Sequence, residues 1–340
     1  MRRTLENRLE ALCRKFGYAP YKMSRFEEYE LYVRNKDFLQ SDRVITFSGA
    51  DGRLLAMKPD VTLSIVKNAP EAPGAVRKVH YRENVYRQDR DGGNFREILQ
   101  AGIECVGDVG SYEIAEVVYL AAKSLAALGE GTILSLSHVG LIRRCLEESG
   151  LPENCRKQAL DCLARKREQE LKALCAEYGA DDRQLLTLLG ARTIADLEFL
   201  ADCPALAELR QIVALLDGAQ VRLDFSLGND MKYYSGLVFQ GYVRGVPASV
   251  LSGGQYDRLL SHMGKKARAI GFAVYLDRLP EKDEGWDVDT LLLTGDAGPA
   301  QILAAAEGLP GSVLAAKSEP ADRTWKRKAI LENGEVRYLD

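Results

Sequence analysis

The chain has 340 residues, of which 46% are hydrophobic and 28% are charged, and its formal net charge is -3. This composition excludes whole-chain disorder, collagen and coiled coil, and the charge balance argues against a globally basic nucleic-acid binder. No apolar run approaches the roughly 18 residues that a membrane helix needs, and the N-terminus lacks a secretory pattern, so we expect a cytoplasmic protein.

The first 130 residues alternate between helical and strand patterns. A helical apolar period predicts a helix over residues 1–16, and a second period, ended by Gly129, predicts another over residues 112–128. A short helix is expected to start within residues 61–68, with Asp60 or Thr62 near its cap. Strand patterns occupy Val44–Phe47, Leu54–Met57, Arg77–Arg87 and Glu97–Gly107. The turn signal Asp51–Gly52 and a polar glycine loop join consecutive strands, which favours antiparallel pairing.

The second half of the chain begins with a long helical block. Residues from about 140 to 217 are almost entirely helical in pattern, and their charges fit the solvated face of packed helices. Strand patterns return at Val221–Leu227, Gly236–Val243, Ser249–Leu251 and Ala269–Leu276. After a charged linker, the last segment has the pattern of a strand, a helix (Pro299–Gly308), a strand and a hairpin at Asn333–Gly334.

These patterns predict an α+β protein of two domains, as the length does at roughly 150 residues per domain. The larger domain is expected over residues 1–280, with the helical block inserted at about 140–217. A linker over 281–287 leads to a small α/β domain over 288–340.

The cysteines and histidines show no pattern of a metal site or a disulfide framework. The chain has seven cysteines, an odd number without any CxxC pair, and three histidines without ligand spacing to one another or to a cysteine. Such a pattern is typical of reduced, mostly buried thiols. We therefore predict no metal, no structural disulfide and no bound cofactor.

Three polar residues lie beside strand-like apolar residues: Asp60, Gln100 and Glu104. Because a buried carboxylate is costly unless it is paired, these positions indicate a site for a cationic or hydrogen-bonding ligand. No Ser/His/Asp or Cys/His triad and no Walker-type phosphate loop can be identified.

Other motifs have two interpretations. The arginines that flank the polar glycine loop (Arg87, Arg90 and Arg96) can hold a phosphate, but their spacing alone favours a surface hairpin. Gly253–Gly254 can let a ligand approach the backbone, although two glycines are more often a bulge or a turn. Tyr233–Tyr234, placed in a strand, predicts packing and one hydroxyl contact.

Five segments in order resemble the catalytic core of histidyl-tRNA synthetases, which are class II aminoacyl-tRNA synthetases. The resemblance covers roughly residues 1–280 and is specific as an ordered set. The five segments are Met57–Thr62, which resembles Leu-Arg-Pro-Glu-x-Thr; Tyr86–Glu104, which resembles motif 2; Met231–Phe239, which resembles a histidine-specific Tyr-Tyr signature; Gly253–Asp257, which resembles Gly-Gly-Arg-Tyr-Asp; and Gly271–Leu279, which resembles motif 3.

The resemblance implies an antiparallel sheet flanked by helices, with a pocket for histidine. In the family's pattern, Asp60 and Thr62 hold the α-amino group, Gln100 helps to hold the amino acid, and Glu104 binds the imidazole. The pocket is completed by Tyr233 and Tyr234. The role of Glu104 is chemically reasonable, because a carboxylate accepts a hydrogen bond from an imidazole N–H.

The resemblance also matches three residues to nucleotide contacts. Arg87 and Arg278 match the motif 2 and motif 3 arginines that grip ATP, and Asp89 matches the glutamate that contacts adenine. ATP or AMP binding is therefore an open expectation.

The chain departs from the family's pattern at several positions where the family has a charged residue. Asn229 occupies the place of an arginine that stabilises carboxylate and phosphate charge during adenylate formation, and an uncharged amide lacks that electrostatic effect. Lys232 replaces an acidic residue, Gln255 replaces an arginine, and the motif 2 loop is one residue shorter. The segment after Asp287 has about half the length that the family's anticodon-binding domain needs.

The chain retains the histidine pocket but lacks the catalytic arginine. In this combination it resembles the regulatory subunits of ATP phosphoribosyltransferase, which act at the first step of histidine biosynthesis. The resemblance implies a protein without catalysis of its own that binds the short catalytic subunit, is required for its activity and mediates its inhibition by histidine. We expect a homodimer within a larger hetero-oligomer and no tRNA partner. Two alternatives stay open: an enzyme that forms histidyl-adenylate, and a histidine sensor with another partner.

Overall fold

The structure is a computed structural model that describes residues 2–39, 43–88, 93–229, 233–279 and 286–339. The chain divides into two compact units, the larger over residues 3–280 and the smaller chiefly over residues 281–340. No helix in the described ranges is long and apolar enough to cross a membrane.

The first half of the larger unit contains the two longest strands. From the N-terminus, the chain forms α1 (Arg2–Lys15), β1 (Ala19–Pro20), β2 (Phe26–Glu28), α2 (Tyr29–Arg34), β3 (Thr46–Ser48), β4 (Leu54–Met57), α3 (Thr62–Val66), β5 (Val76–Gln88), β6 (Phe95–Gly107) and α4 (Ser111–Leu128). The two predicted helices and the antiparallel pairing of β5 with β6 are confirmed. The first strand of the β3–β4 hairpin begins two residues later than predicted, at Thr46.

The second half of the larger unit begins with the helical block. It contains β7 (Ile133–His138), α5 (Val139–Glu148), α6 (Glu153–Ala164), α7 (Glu168–Glu177), α8 (Arg183–Gly190), α9 (Pro204–Leu215), β8 (Val221–Leu223), β9 (Leu237–Tyr242), β10 (Leu251–Gln255), α10 (Asp257–His262) and β11 (Arg268–Tyr275). The predicted helical insertion is confirmed by α5–α9.

Eight strands form the central sheet, in the order β1-β5-β6-β11-β10-β9-β7-β8. Only the two edge pairs, β1–β5 and β7–β8, are parallel, and the strands between them pair antiparallel. A second sheet has the order β2-β4-β3. The predicted class of an α+β protein with a largely antiparallel sheet and flanking helices is confirmed.

The central sheet separates two hydrophobic clusters. Cys105 and Val106, neighbours on β6, belong to different clusters, because successive side chains of a strand point to opposite faces. On one face, α1, α4 and the helical insertion pack against the sheet. On the other face, α3 and α10 pack together with Tyr32 of α2.

The paired strands β5 and β6 extend beyond the rest of the sheet. They pair over thirteen residues each, but β11 pairs with β6 only from Gln100 to Gly107. Among the described strands, none pairs with the far end of this hairpin, Asn84–Gln88 and Phe95–Leu99. We call these ten residues the hairpin arm.

Three predicted strand assignments are wrong. The strand predicted over Ser249–Leu251 begins only at Leu251 and continues to Gln255. The strand predicted over Val221–Leu227 ends at Leu223, because Asp224 accepts hydrogen bonds from Ser226 and starts a 3-10 turn, Phe225–Asn229. Tyr233–Tyr234 lie in a turn before β9 and not in a strand. The main chain of Ser235 donates to the carbonyl of Gln255 at 2.8 Å, which holds this turn against β10.

The predicted bulge or turn at Gly253–Gly254 is also wrong. Both glycines lie within β10, paired regularly with β9 on one side and β11 on the other. They are glycines because neighbouring groups come too close for a side chain: a Cβ on Gly254 would lie 2.7 Å from the Tyr234 ring.

The smaller unit contains one four-stranded sheet and one helix. Its elements are β12 (Val288–Leu293), α11 (Pro299–Gly308), β13 (Val313–Ala316), β14 (Trp325–Glu332) and β15 (Glu335–Leu339), with the sheet order β13-β12-β14-β15. The predicted hairpin is confirmed, since Asn333 and Gly334 adopt φ values of 51° and 84° between antiparallel strands. Of the predicted linker, residues 281–285 lie outside the described residues, and Asp287 is already hydrogen-bonded to Thr324.

Candidate functional site

The structure brings all six predicted histidine-binding residues to one pocket on the sheet face that carries α3 and α10. The residues are Asp60, Thr62, Gln100, Glu104, Tyr233 and Tyr234. They come from the start of α3, from β6 and from the turn before β9. The i, i+4 spacing places Gln100 and Glu104 on the same face of β6.

Glu104 lies at the centre of the pocket and is 3% exposed. The Thr62 hydroxyl donates to its Oε1 at 2.7 Å, and the Tyr256 hydroxyl donates to its Oε2. Burial raises the pKa of Glu104 to about 8, with an addition from the Asp60 charge, and the two hydroxyl donors act against the rise. The carboxyl group can therefore exchange a proton near neutral pH and pair with a basic nitrogen.

Asp60 connects the pocket to α3 and to the hairpin arm. The N-cap residue of α3 is Val61, and Oδ1 of Asp60, one residue earlier, accepts a hydrogen bond from the main chain of Leu63 at 2.9 Å. Asp60 therefore lies near the cap, as one of the two predicted alternatives stated. Its Oδ2 lies 3.6 Å from the Arg87 guanidinium, whose Nε donates to the Pro59 carbonyl at 2.6 Å. Burial raises the pKa of Asp60, and Arg87 lowers it.

Gln100 presents a donor without an acceptor to the pocket. The residue is 2% exposed, and its Nε2 atom has no hydrogen-bond partner among the described residues. A buried amide donor without a partner costs about 1–3 kcal/mol. A ligand with an acceptor oxygen, such as a carboxylate, would remove this cost.

Tyrosine rings form the wall of the pocket. The Tyr233 and Tyr234 rings pack edge to face with centroids 4.8 Å apart, and Tyr256 lies 5.9 Å from Tyr233. Tyr256 and Tyr81 also line the pocket but were missed by sequence reasoning. Tyr256 could have been found, because it belongs to the Gly-Gly-Gln-Tyr-Asp segment that carries the resemblance.

Glycines let the pocket groups lie close to the sheet. A Cβ on Gly271 of β11 would lie 1.8 Å from Oε2 of Glu104, which faces this glycine across the β6–β11 pair. Gly254 makes the same room for Tyr234. The glycines therefore serve the close approach of side chains that line the pocket.

Two residues that depart from the family's pattern, Asn229 and Gln255, lie in the described part of the chain. Gln255 is 3% exposed, and its side-chain oxygen accepts from the main chain of Leu237 at 2.5 Å, so it holds the turn. Asn229 ends the 3-10 turn. Lys232 lies outside the described residues.

Of the residues matched to nucleotide contacts, Arg87 and Arg278 can be located in the described part of the chain, and only Arg87 of these two lines the pocket. Asp89, like its neighbour Arg90, lies outside the described residues. Arg278 is exposed, its guanidinium 4.0 Å above the Tyr275 ring, and it donates to the Ser249 carbonyl. Tyr275 lines the pocket, so Arg278 contacts the pocket wall from outside.

In the described part of the chain, no group of three or more His, Cys, Asp or Glu side chains could hold a metal ion. All seven cysteines are buried free thiols. Among the described residues, the polar side chains that line the pocket carry carboxyl, amide and hydroxyl groups and the Arg87 guanidinium.

Two sequence relatives share most of the chain. The profile of the family described as histidyl-tRNA synthetase matches residues 1–279. The ATP phosphoribosyltransferase regulatory subunit of Moorella thermoacetica is 30% identical, over 98% of this chain and 88% of its own. The histidine–tRNA ligase of Methanoregula boonei is 28% identical, over 82% of this chain and 70% of its own.

Two solved structures share the fold. An ATP phosphoribosyltransferase regulatory subunit/histidyl-tRNA synthetase from Bacillus halodurans superposes with a TM-score of 0.74 at 24% identity, covering 94% of this chain and 90% of its own. The ATP phosphoribosyl transferase complex from Thermotoga maritima contains a chain with a TM-score of 0.66 at 19% identity, covering 80% of this chain and 96% of that one. With the match of the profile and the identity to the Moorella subunit, the chain belongs to the histidyl-tRNA synthetase family and, within it, to the ATP phosphoribosyltransferase regulatory subunits.

Proposed function

We propose that the chain is a non-catalytic regulatory subunit of ATP phosphoribosyltransferase that binds free histidine. In this role it binds the short catalytic subunit, is required for its activity and mediates its feedback inhibition by histidine. The observation that carries the proposal is the buried Glu104 carboxyl group, held by two hydroxyl donors in a pocket where Nε2 of Gln100 has no hydrogen-bond partner among the described residues.

The polar groups of the pocket fit the three functional groups of histidine. Glu104 accepts from the imidazole, Asp60 and Thr62 receive the α-amino group, and the Gln100 amide donates to the carboxylate. The tyrosines Tyr233 and Tyr234 enclose the ring. A buried site that must satisfy each polar group discriminates strongly against analogues that lack one.

Asn229 supports the absence of catalysis. Adenylate formation brings negatively charged phosphate and carboxylate groups together, and a fixed cation stabilises the transition state. Asn229 stands in place of the family's arginine, and Arg87 is engaged with Asp60 and Pro59.

The partner follows from the relatives. Several curated relatives are named ATP phosphoribosyltransferase regulatory subunit, and one chain of the same fold comes from a complex of that enzyme. We propose a short-form catalytic subunit as the partner, a cytoplasmic homodimer within the hetero-oligomer, and no tRNA ligand.

Inhibition requires a difference in affinity. Histidine shifts the complex toward an inhibited conformation only if it binds that conformation more tightly than the active one. By reciprocity, binding of the catalytic subunit's substrates weakens the binding of histidine by the same factor.

The test is calorimetric titration of the chain with histidine, followed by an activity assay of a short catalytic subunit with and without the chain. We expect histidine to bind, the chain to activate the catalytic subunit, and histidine to inhibit the mixture. Glu104→Gln should weaken histidine binding at least about tenfold, because it loses a charge-assisted hydrogen bond. The control is Glu97→Gln, an exposed carboxylate on the same strand. Equal binding by both variants would contradict the pocket assignment.

The alternative function is formation of histidyl-adenylate. It is favoured by Arg87 in the pocket and by Arg278 above the Tyr275 ring. Pyrophosphate exchange that depends on histidine and ATP would establish this alternative and reject the regulatory proposal. Histidine binding without exchange and without any effect on the catalytic subunit would instead support a histidine sensor with another partner.

A further inference from the structure

A second cleft lies behind the first pocket, on the opposite face of the central sheet. Ala101, Ile103 and Val274 line it, and they alternate along β6 and β11 with residues such as Gln100 and Glu104 that line the first pocket. Because successive side chains of a strand point to opposite faces, a single layer of backbone separates the two sites.

The wall opposite the sheet comes mainly from α1 and from the segment after it. Leu9 and Cys13 of α1 contribute apolar surface, and Tyr21 also lines the cleft. Together with Phe272 and Val274, they belong to the apolar part of its lining. Its size and character suit the body of a small organic molecule.

His80 supplies a buried polar atom that no described residue satisfies. The residue is 9% exposed, lines the cleft, and its Nε2 atom has no hydrogen-bond partner among the described residues. Burial lowers the pKa of His80, so the ring is neutral at neutral pH. A neutral imidazole whose Nε2 atom is unprotonated accepts a hydrogen bond from a ligand N–H.

Among the described residues, three charged side chains line the cleft, and two of them, Glu6 and Glu10, are carboxylates. Glu6 and Arg82 approach to 3.1 Å, but the carboxylate is 15% exposed and the guanidinium 56% exposed. The contact is an ion pair without hydrogen-bond geometry, so Oε1 of Glu6 is buried and has a charged neighbour but accepts no hydrogen bond from the described residues. Glu10, bonded to Arg14 at the exposed rim, adds another carboxylate to the lining.

We propose that this cleft is a second ligand site, for a small primary amine with a compact apolar body. The ammonium group donates to Glu6 and to His80, and the body packs against Leu9, Phe272 and Val274. The site is separate from the first pocket and does not depend on the function proposed above, because none of its side-chain acceptors faces Glu104.

The test uses benzylamine as the probe and benzyl alcohol as its neutral counterpart. The full chain, labelled in its Ile, Leu and Val methyl groups, is titrated with each compound and followed by methyl NMR. We expect saturable shifts of the Ile103, Leu9 and Val274 methyl resonances with benzylamine. We expect benzyl alcohol to bind at least about tenfold more weakly, because it lacks the charge-assisted hydrogen bond.

Variants assign the signal to the cleft. Glu6→Gln, and independently His80→Phe, should weaken benzylamine binding about tenfold or more, while Asp60→Asn in the first pocket should leave these shifts unchanged. Thermal melting confirms that each variant is folded. Absence of saturable shifts, equal binding of the alcohol, or loss of the shifts in Asp60→Asn but not in Glu6→Gln would each overturn the proposal.

Discussion

The protonation state of the Glu104 carboxyl group affects both the stability of the fold and the pairing of this group with a ligand. Its burial raises the pKa from the ordinary value of 4.5 to about 8, while Thr62 and Tyr256 limit the rise by donating to the charged form. Between these two pH values the folded chain holds a proton that the unfolded chain has released. The contribution of this group to stability is therefore complete below about pH 4.5 and is lost as the pH rises through about 8.

Glu104→Gln should remove this part of the pH dependence of folding. The amide is neutral at every pH, so the variant should lose less stability than the native chain between pH 5 and 8, by up to about 1.4 kcal/mol per pH unit. Thermal or urea unfolding across this range measures the difference. Glu97→Gln, at an exposed position of the same strand, should keep the native slope. If the free energy of unfolding changed with pH by the same amount in Glu104→Gln and in the native chain, Glu104 would be ionised in the folded state.

At the scale of elements, the site depends on how closely pocket side chains can approach the backbone of β10 and β11. One of these side chains comes from β6. Gly271 faces Glu104 across the β6–β11 pair, and Gly254 lies beneath the Tyr234 ring. A side chain at either position would occupy space that a pocket residue already fills. The glycines of β10 and β11 therefore leave the space that Tyr234 and Glu104 occupy in the pocket.

Gly271→Ala should destabilise the fold by about 3 kcal/mol and displace Glu104. Its Cβ would lie 1.8 Å from Oε2 of Glu104 and 2.5 Å from the Ile103 carbonyl, and the second of these is backbone that cannot rotate away. Chemical denaturation measures the loss. Gly190→Ala in α8 is the matched control, since its Cβ would meet no atom within 4 Å. We expect that variant to stay within about 0.5 kcal/mol of the native chain or to gain stability. Similar losses in both variants would contradict the steric explanation.

Elements with a strong local signal were predicted from the sequence, and those set by distant contacts were not. The apolar period of α4 and the Asn333–Gly334 turn are local features, and both are confirmed. The turn at Tyr233–Tyr234 depends on Gln255, whose main chain and side chain bind residues 235 and 237 from across the sheet. No spacing in the sequence carries that information.

In the candidate site too, local spacing was predictable from the sequence and contacts between distant residues were not. The spacing of Gln100 and Glu104 places both on one face of β6, whereas their meeting with Asp60 required the resemblance to a known family. Tyr256 was missed as a donor to Glu104 because its partner lies 152 residues away in the chain.

At the scale of the whole molecule, the two units have separate hydrophobic cores. The larger unit contains both clusters on the central sheet. Among the described residues of the smaller unit, the buried apolar side chains of its cluster are Leu292, Ala329 and Leu331, and Leu291 is buried outside this cluster. A core of that size gives a domain of marginal stability.

Calorimetric melting should therefore show two transitions. The smaller unit should unfold first, because it buries little apolar surface, and the larger unit should unfold at higher temperature. Removal of residues 281–340 should abolish the first transition and leave the second within a few degrees. A single transition in the full chain, lost as a whole on this truncation, would show that the two units fold as one.

The length of the hairpin arm has a mechanical consequence. A ribbon of two strands twists more freely than a wide sheet, and this one is tethered along both edges. On the β5 edge, Tyr86 donates to the Lys58 carbonyl and Arg87 to the Pro59 carbonyl; on the β6 edge, Leu99 donates to Asp277. Pro59 immediately precedes Asp60, whose carboxylate accepts a hydrogen bond from the main chain of Leu63 in α3. These hydrogen bonds connect the arm to the segment that carries a pocket residue, and we expect torsion of the arm to be transmitted to Asp60.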